Sequence, residues 1–138
     1  MNHTSAFVLV AFIAWTLLLL ILMELLRCAW IARGKVAANA LVPDNTNLSP
    51  FLQRLARAHA NCVESLPVFG GLLLVALATG HAQITDGLAS WLLVARLAQS
   101  GFHLASLHLV AVNLRFLAFV VQLVIAVYWA WQLLMLFV

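Results

Sequence analysis

Four long apolar stretches alternate with three polar ones along the 138 residues. The first runs from about Ala6 to Leu26, and its helical pattern continues to Ala32. The second covers about Pro50 to Thr79, the third Leu88 to His108, and the fourth Asn113 to Val138. Roughly 20 residues at about 1.5 Å each cross a hydrocarbon core, so every stretch is long enough to span. The pattern predicts helices over about 6–32, 50–79, 88–108 and 113–138, within a single domain over 1–138. That is an all-α membrane protein, a four-transmembrane-helix bundle. A polar segment from Arg33 to Ser49, with Gly34, Pro43, Asp44 and three Asn, is the one long connection. Ser49-Pro50 ends it with a capping hydroxyl and a proline at the first helical position, a standard helix start. His81 to Gly87 reads as a short loop after Gly80, and Leu109 to Val112 as a tight or partly helical turn. Tyr128, Trp129 and Trp131 fall where interfacial anchors are expected. The N-terminus lacks the basic start and short apolar core of a cleaved signal, so it reads as the first span. No internal repeat supports an inverted-repeat transporter.

Composition sharpens this picture. The chain is 66% hydrophobic and 8% charged, and so few charges cannot cover a water-facing surface. The net charge of +3 does not indicate nucleic acid, because the one Lys and six Arg form no solvated patch. They report topology instead. Arg27, Arg33, Lys35, Arg54 and Arg57 flank the first connection and Arg115 the third, while the opposite side carries no Lys or Arg. By the positive-inside rule the first and third connections are cytoplasmic and both termini lie on the other side. The scarcity of eukaryotic sorting features points to a bacterial inner membrane. Cys28 and Cys62 both lie in apolar helical stretches and imply neither a disulfide framework nor a metal site.

An ionisable group inside a span costs about 2.5–3.5 kcal/mol on insertion scales and marks a functional site by default. The second helix concentrates such groups. Arg54, Arg57, Asn61 and Glu64 fall within roughly an 80° arc at about 100° per residue, forming one stripe nearly three turns long. Ser65 lies near it and His59 points away. Two guanidinium forks, an amide and a carboxylate suit a ligand with two carboxylates and one amine, such as glutathione. An internal salt-bridge network that glues helices together explains the same spacing equally well, and snorkelling explains Arg54 and Arg57. The third span adds Arg96, Gln99 or Ser100, and His103, with Ser106 beyond. Arg96 lies too deep to snorkel and is expected to pair with an acid, Glu64 first and Glu24 second. The fourth contributes Arg115 and, two turns deeper, Gln122. Glu24 and Arg27, three apart, are expected to pair with each other. His103 and His108 are expected to hydrogen-bond between helices rather than to bind metal.

The second helix, Arg54-Leu-Ala-Arg57-Ala-His59-Ala-Asn61-Cys-Val-Glu64-Ser-Leu-Pro67-Val-Phe69, closely resembles the signature of MAPEG proteins, the membrane-associated proteins in eicosanoid and glutathione metabolism. Length, four spans, one long first loop and the order of charged residues extend the resemblance over nearly the whole chain. It implies a homotrimer of four-helix bundles with glutathione as co-substrate, held between protomers near the cytoplasmic face. It further implies that Arg57, Asn61 and Glu64 bind glutathione, with Arg54 assisting. Arg33 or Lys35 resembles the basic residue near the glutathione carboxylates, and Arg96 the third-helix arginine. Arg115, within Leu-Arg-Phe-Leu-Ala-Phe, resembles the arginine that stabilises the glutathione thiolate. The expected function is a glutathione transferase or peroxidase acting on hydrophobic electrophiles or lipid hydroperoxides, with membrane lipid around it. The chain departs from the pattern at Phe119, a Tyr in several eicosanoid-type members, and at Ser65, a Tyr in some. Two alternatives stand beside this reading: a small four-helix multidrug transporter, and a glutathione-binding scaffold without catalysis.

Overall fold

The computed structural model describes residues 3–138, which form four long α-helices: α1 (Thr4–Ala32), α2 (Pro50–Ala78), α3 (Gln83–Ala105) and α4 (Leu109–Leu134). A single 3-10 turn, Ala38–Ala40, interrupts the long first connection. Local chemistry sets the helix ends. The Ser49 hydroxyl accepts from the Leu52 N–H at 3.3 Å, with Pro50 at the first helical position, as the sequence predicts. Helices α1 and α2 each finish on a left-handed glycine, Gly34 at φ 67° and Gly80 at φ 76°. At each the following two N–H groups fold back on the last turn. Gly34 donates to Ile31 (2.9 Å) and Lys35 to Trp30 (3.0 Å), while Gly80 donates to Leu77 (3.2 Å) and His81 to Ala76 (2.8 Å). These are Schellman closures, and glycine reaches that φ with no Cβ to clash.

Helix α3 starts at Gln83 rather than at Leu88, so most of the polar stretch read as a loop is helix. Its polar residues are used. The Ser5 N–H and hydroxyl both donate to Asp86 Oδ1, at 2.8 and 2.6 Å, and Ser5 Oγ lies 2.7 Å from Thr85 Oγ1. The first turn of α3 thereby satisfies orphan donors at the start of α1. Leu109 to Val112 likewise belong to α4, and Ser106 to His108 make the whole third connection.

Helix α3 touches the other three helices, α1 packs along α2, and α2 meets α4 only over a short stretch. The core joins Phe12 and Leu19 of α1, Leu55 and Leu73 of α2, Leu92 of α3 and Trp129 of α4. Trp129 is fully buried, so of the three expected anchors only Tyr128 and Trp131 face outward. The outer surface is apolar, with Phe7, Leu17, Ile21, Trp91, Val94, Phe116 and Val124 exposed on successive turns. Three helices are long and apolar enough to cross a membrane by composition alone. Helix α3 falls below that threshold because Thr85, Arg96, Gln99, Ser100 and His103 lower its average, yet all five are buried. Its outward residues, Trp91, Val94 and Leu97, are as apolar as those of its neighbours. At 23 residues and about 1.5 Å each, it also matches the hydrocarbon thickness.

The long connection is held down by Arg27. Its guanidinium donates to Glu24 Oε1 at 2.7 Å, Asn45 Oδ1 at 2.8 Å and the Pro43 carbonyl at 2.9 Å. Buried Asn45 takes φ 56° and donates onward to the Leu52 carbonyl at 3.0 Å. The expected Glu24–Arg27 pair is therefore present, but Arg27 is also the nail that fixes the loop to the first turn of α2.

Candidate functional site

The α2 stripe faces away from the protomer's own core. Arg57 and Glu64 are exposed, and Arg54 and Asn61 are half-buried. Among the described residues the only salt bridge is Arg27–Glu24, so no ion-pair network ties the stripe to neighbouring helices. Arg54 is engaged otherwise: its Nε donates to the Leu104 carbonyl in the last turn of α3 at 2.9 Å. Ser65 turns back to the Asn61 carbonyl at 2.6 Å and is spent within the helix.

Because α2 and α4 meet only over a short stretch, a seam opens between them. Its first chamber, about 330 Å³, is lined by Asn61, Gln99, Val112, Asn113, Arg115, Phe116 and Phe119. A second of about 280 Å³ is lined by Asn61, Glu64, Ser65, Val68, Phe69, Phe119 and Leu123. Asn61 and Phe119 belong to both. Deeper along the seam, Pro67, Val68, Gly71, Leu72, Leu123, Ala126, Val127 and Ala130 line an apolar groove of about 390 Å³. That groove shares Val68 and Leu123 with the second chamber, so lining polarity falls steadily along the seam.

Arg115 and Asn61 thus line the first chamber, and Asn61 and Glu64 the second. Arg57 lines a separate recess of about 200 Å³ with Pro43, Asp44, Ala56 and Ala60. Arg33 and Lys35 are exposed beyond α1 and line none of these spaces; the Lys35 ammonium sits over the Trp30 ring at 5.1 Å. Arg54, Arg57 and Arg115 all lie within electrostatic reach of His103 near the end of α3. Neither His103 nor His108 makes an interhelical side-chain hydrogen bond among the described residues. His108 instead occupies the N-cap position of α4 without a side-chain cap, its backbone N–H donating to Ser106 Oγ at 3.0 Å.

Arg96 corrects the expected acid pairing. It is fully buried, and Glu64 and Glu24 are both exposed and away from it. Its Nη1 donates to Asn61 Oδ1 at 2.8 Å, while Nε and Nη2 have no hydrogen-bond partner among the described residues. Two aromatic faces take the place of a carboxylate: Phe12 and Phe69 lie 5.1 and 5.4 Å from the guanidinium carbon. Such faces stabilise a cation by about 0.5–2 kcal/mol each. Asn61 Oδ1 also accepts a long bond from Gln99 Nε2 at 3.4 Å, and Gln99 Oε1 accepts from Gln122 Nε2 at 3.0 Å. Residue spacing put Gln99 and Gln122 on inward faces but gave no sign of this chain. Asn113 in the chamber wall was also missed, since a single amide near a helix start carries no pattern.

A model described as the MAPEG family matches residues 5–135, nearly the whole chain. No curated protein and no solved structure matches it.

Proposed function

The chain belongs to the MAPEG family, and from that premise we propose that it is a membrane-bound transferase or peroxidase that uses glutathione against hydrophobic electrophiles or lipid hydroperoxides. The family sets the coarse kind of function: glutathione-related or eicosanoid chemistry on membrane-embedded substrates. The observation that carries the finer reading is the shared chamber in which Arg115 of α4 faces Asn61 of α2. An isolated amide or arginine would serve packing; both opening on one space next to an apolar groove favour a polar thiol peptide meeting a lipophilic partner.

Arg115 acts on the thiol. A cation about 4 Å away at an effective dielectric near 20 favours a thiolate by about 4 kcal/mol. Arg115 is partly exposed and the benefit is screened to less than half of that, which still brings a thiol from about 8.5 to near 7. On an electrophilic carbon the thiolate forms a C–S bond as a leaving group departs or an opened π bond takes up a proton. On a hydroperoxide it forms an S–O bond as the O–O bond breaks, releasing the alcohol, and a second glutathione then reduces the sulfenic acid to the disulfide with loss of water. Holding the reactants in place supplies much of the acceleration. Asn61 and Glu64 grip the peptide, with Glu64 receiving its ammonium.

Arg57 and Glu64 are both exposed on the single chain, and Glu64, midway along α2, would cost about 2.5–3.5 kcal/mol against lipid. A neighbouring protomer covering them accounts for this, and it supports the homotrimer with glutathione between protomers. In that assembly Arg57, Arg54 and a neighbour's Arg33 or Lys35 complete the carboxylate end of the site. The first and third connections face the cytoplasm in this reading.

Glutathione binding to the detergent-purified oligomer, with thiolate absorbance followed in parallel, tests the proposal. Saturable binding should disappear in Arg57→Ala, and Arg115→Ala should retain binding while losing the thiolate signal. An intact wild-type oligomer that binds no glutathione would sink the reading.

A further inference from the structure

Three side-chain amides from three helices, Asn61 of α2, Gln99 of α3 and Gln122 of α4, are joined head to tail. One neighbour sets their direction. An arginine can only donate, so the atom of Asn61 that meets Arg96 Nη1 at 2.8 Å must be the carbonyl oxygen. With Oδ1 facing inward, Gln99 must offer it an N–H, seen at 3.4 Å. That leaves Gln99 Oε1 toward α4, where Gln122 must in turn offer its N–H, seen at 3.0 Å. Gln122 spends its other N–H on the Ala118 carbonyl at 2.9 Å, one turn back along α4. Flipping any one amide would set oxygen against oxygen or N–H against N–H. Gln99 and Gln122 are buried, Gln122 completely, so water cannot repair such a flip.

We infer that Arg96, Gln99 and Gln122 are positioning residues that lock Asn61 with its NH₂ toward the chamber, so that the site takes a ligand presenting a carbonyl or carboxylate oxygen at that point. Aligned amides polarise one another, and the last donor of such a chain is strengthened toward its acceptor. Asn61 lines both polar chambers, so the locked donor belongs to the wall common to the two. The identity of the ligand rests on the glutathione reading above, whereas the direction of the amides rests on the hydrogen bonds alone. Arg96 consequently acts through Asn61 rather than by touching the ligand.

Asn61→Asp separates the two halves of the inference. The carboxylate keeps an oxygen for Arg96 and for Gln99 but offers no N–H to the chamber. Without ligand, the full chain in detergent should unfold at the wild-type temperature or above it; a lower midpoint would overturn the orientation. Glutathione affinity should fall by about 10-fold, the worth of one hydrogen bond. Binding within 2-fold of wild type, on the order of a few tenths of that bond, would overturn the donor role. Gln122→Met keeps the bulk and removes the donor to Gln99, and should weaken glutathione binding by roughly 3- to 5-fold in the wild-type background. In the Asn61→Asp background the same change should have no further effect. An equal loss in both backgrounds means that Gln122 acts elsewhere, and the chain is refuted. Wild-type protein that binds no glutathione overturns the ligand assignment, and the unfolding midpoint of Asn61→Asp still decides the amide direction.

Discussion

Replacing Arg96 by Met should leave the bundle as stable as before, or up to about 3 kcal/mol more stable, while weakening glutathione binding. A buried arginine is ordinarily lost at a penalty, because it leaves a carboxylate stranded. Here no carboxylate exists to strand. What Arg96→Met removes is one charge-assisted hydrogen bond to Asn61, worth about 1.5–3 kcal/mol, and two ring contacts of about 0.5–2 kcal/mol each. What it relieves is the desolvation of a fully buried guanidinium, several kcal/mol, including two N–H groups with no acceptor. Methionine follows the same path along Phe12 and Phe69 and fills most of the volume. Asn61 Oδ1 keeps its bond from Gln99, so it is not orphaned. The balance lies near zero or on the stabilising side. Equilibrium unfolding in a denaturing detergent mixture would measure it, alongside glutathione affinity. A loss of more than about 2 kcal/mol would refute the reasoning, because Arg96 would then be structural glue.

Three further outcomes follow from other parts of the fold. Asn45→Ala removes the acceptor for Arg27, the donor to Leu52 and a side chain suited to positive φ, and should destabilise the first connection by about 2–4 kcal/mol, read as faster proteolysis within residues 33–49. Phe119→Tyr places a hydroxyl in the wall shared by both polar chambers, one turn beyond Arg115, and should raise conjugation turnover by roughly 3- to 10-fold; unchanged turnover would place the reacting thiol elsewhere. The Asp44 carboxyl is held below its usual range mainly by the Thr46 N–H, so its contribution to the turn is complete above the unfolded carboxylate range and is lost as pH falls through the lower folded value. The protection of the Thr46 amide, its exchange rate relative to an unstructured amide at the same pH, should therefore fall only below about pH 4.

The parts of this molecule that were legible in the sequence are those in which a residue type contradicts its surroundings. Arg54, Arg57, Asn61 and Glu64 stand out because each is costly in an apolar helix, and their shared face follows from periodicity alone. The start of α3 was not legible, because Gln83, Thr85 and Asp86 look like loop residues until Ser5 is found opposite them. That pairing joins residues some 80 positions apart, and no local pattern encodes it. The partner of Arg96 was hidden for a different reason. Charge logic asks for an acid, whereas Phe12 and Phe69 are indistinguishable in sequence from lipid-facing aromatics. Arg27 reads as a basic flank with a helical partner at i−3, and its grip on Pro43 and Asn45 appears only once the loop has folded back.

The loose meeting of α2 with α4 is what turns these separate features into a site. A bundle in which every pair of helices packed equally would bury Asn61 and Arg115 against apolar neighbours, each at the cost of an unmet hydrogen bond. Here α3 touches all three other helices, and its Gln99 links Asn61 of α2 to Gln122 of α4, so α2 and α4 can pack loosely while the three amides stay bonded to one another, with Gln122 Oε1 left unmet among the described residues. The seam between them is polar where Asn61, Asn113 and Arg115 line it and apolar where Leu72, Leu123 and Val127 do, with Phe119 at the polar end. A water-soluble peptide and a lipid-soluble molecule have no common solvent. On the proposed reading, a cleft graded in this way would offer each its own medium and bring their reactive ends together at the boundary. The helix with the lowest apolar content is therefore the one that makes the membrane-embedded site possible, because its polar side chains hold that boundary open from within.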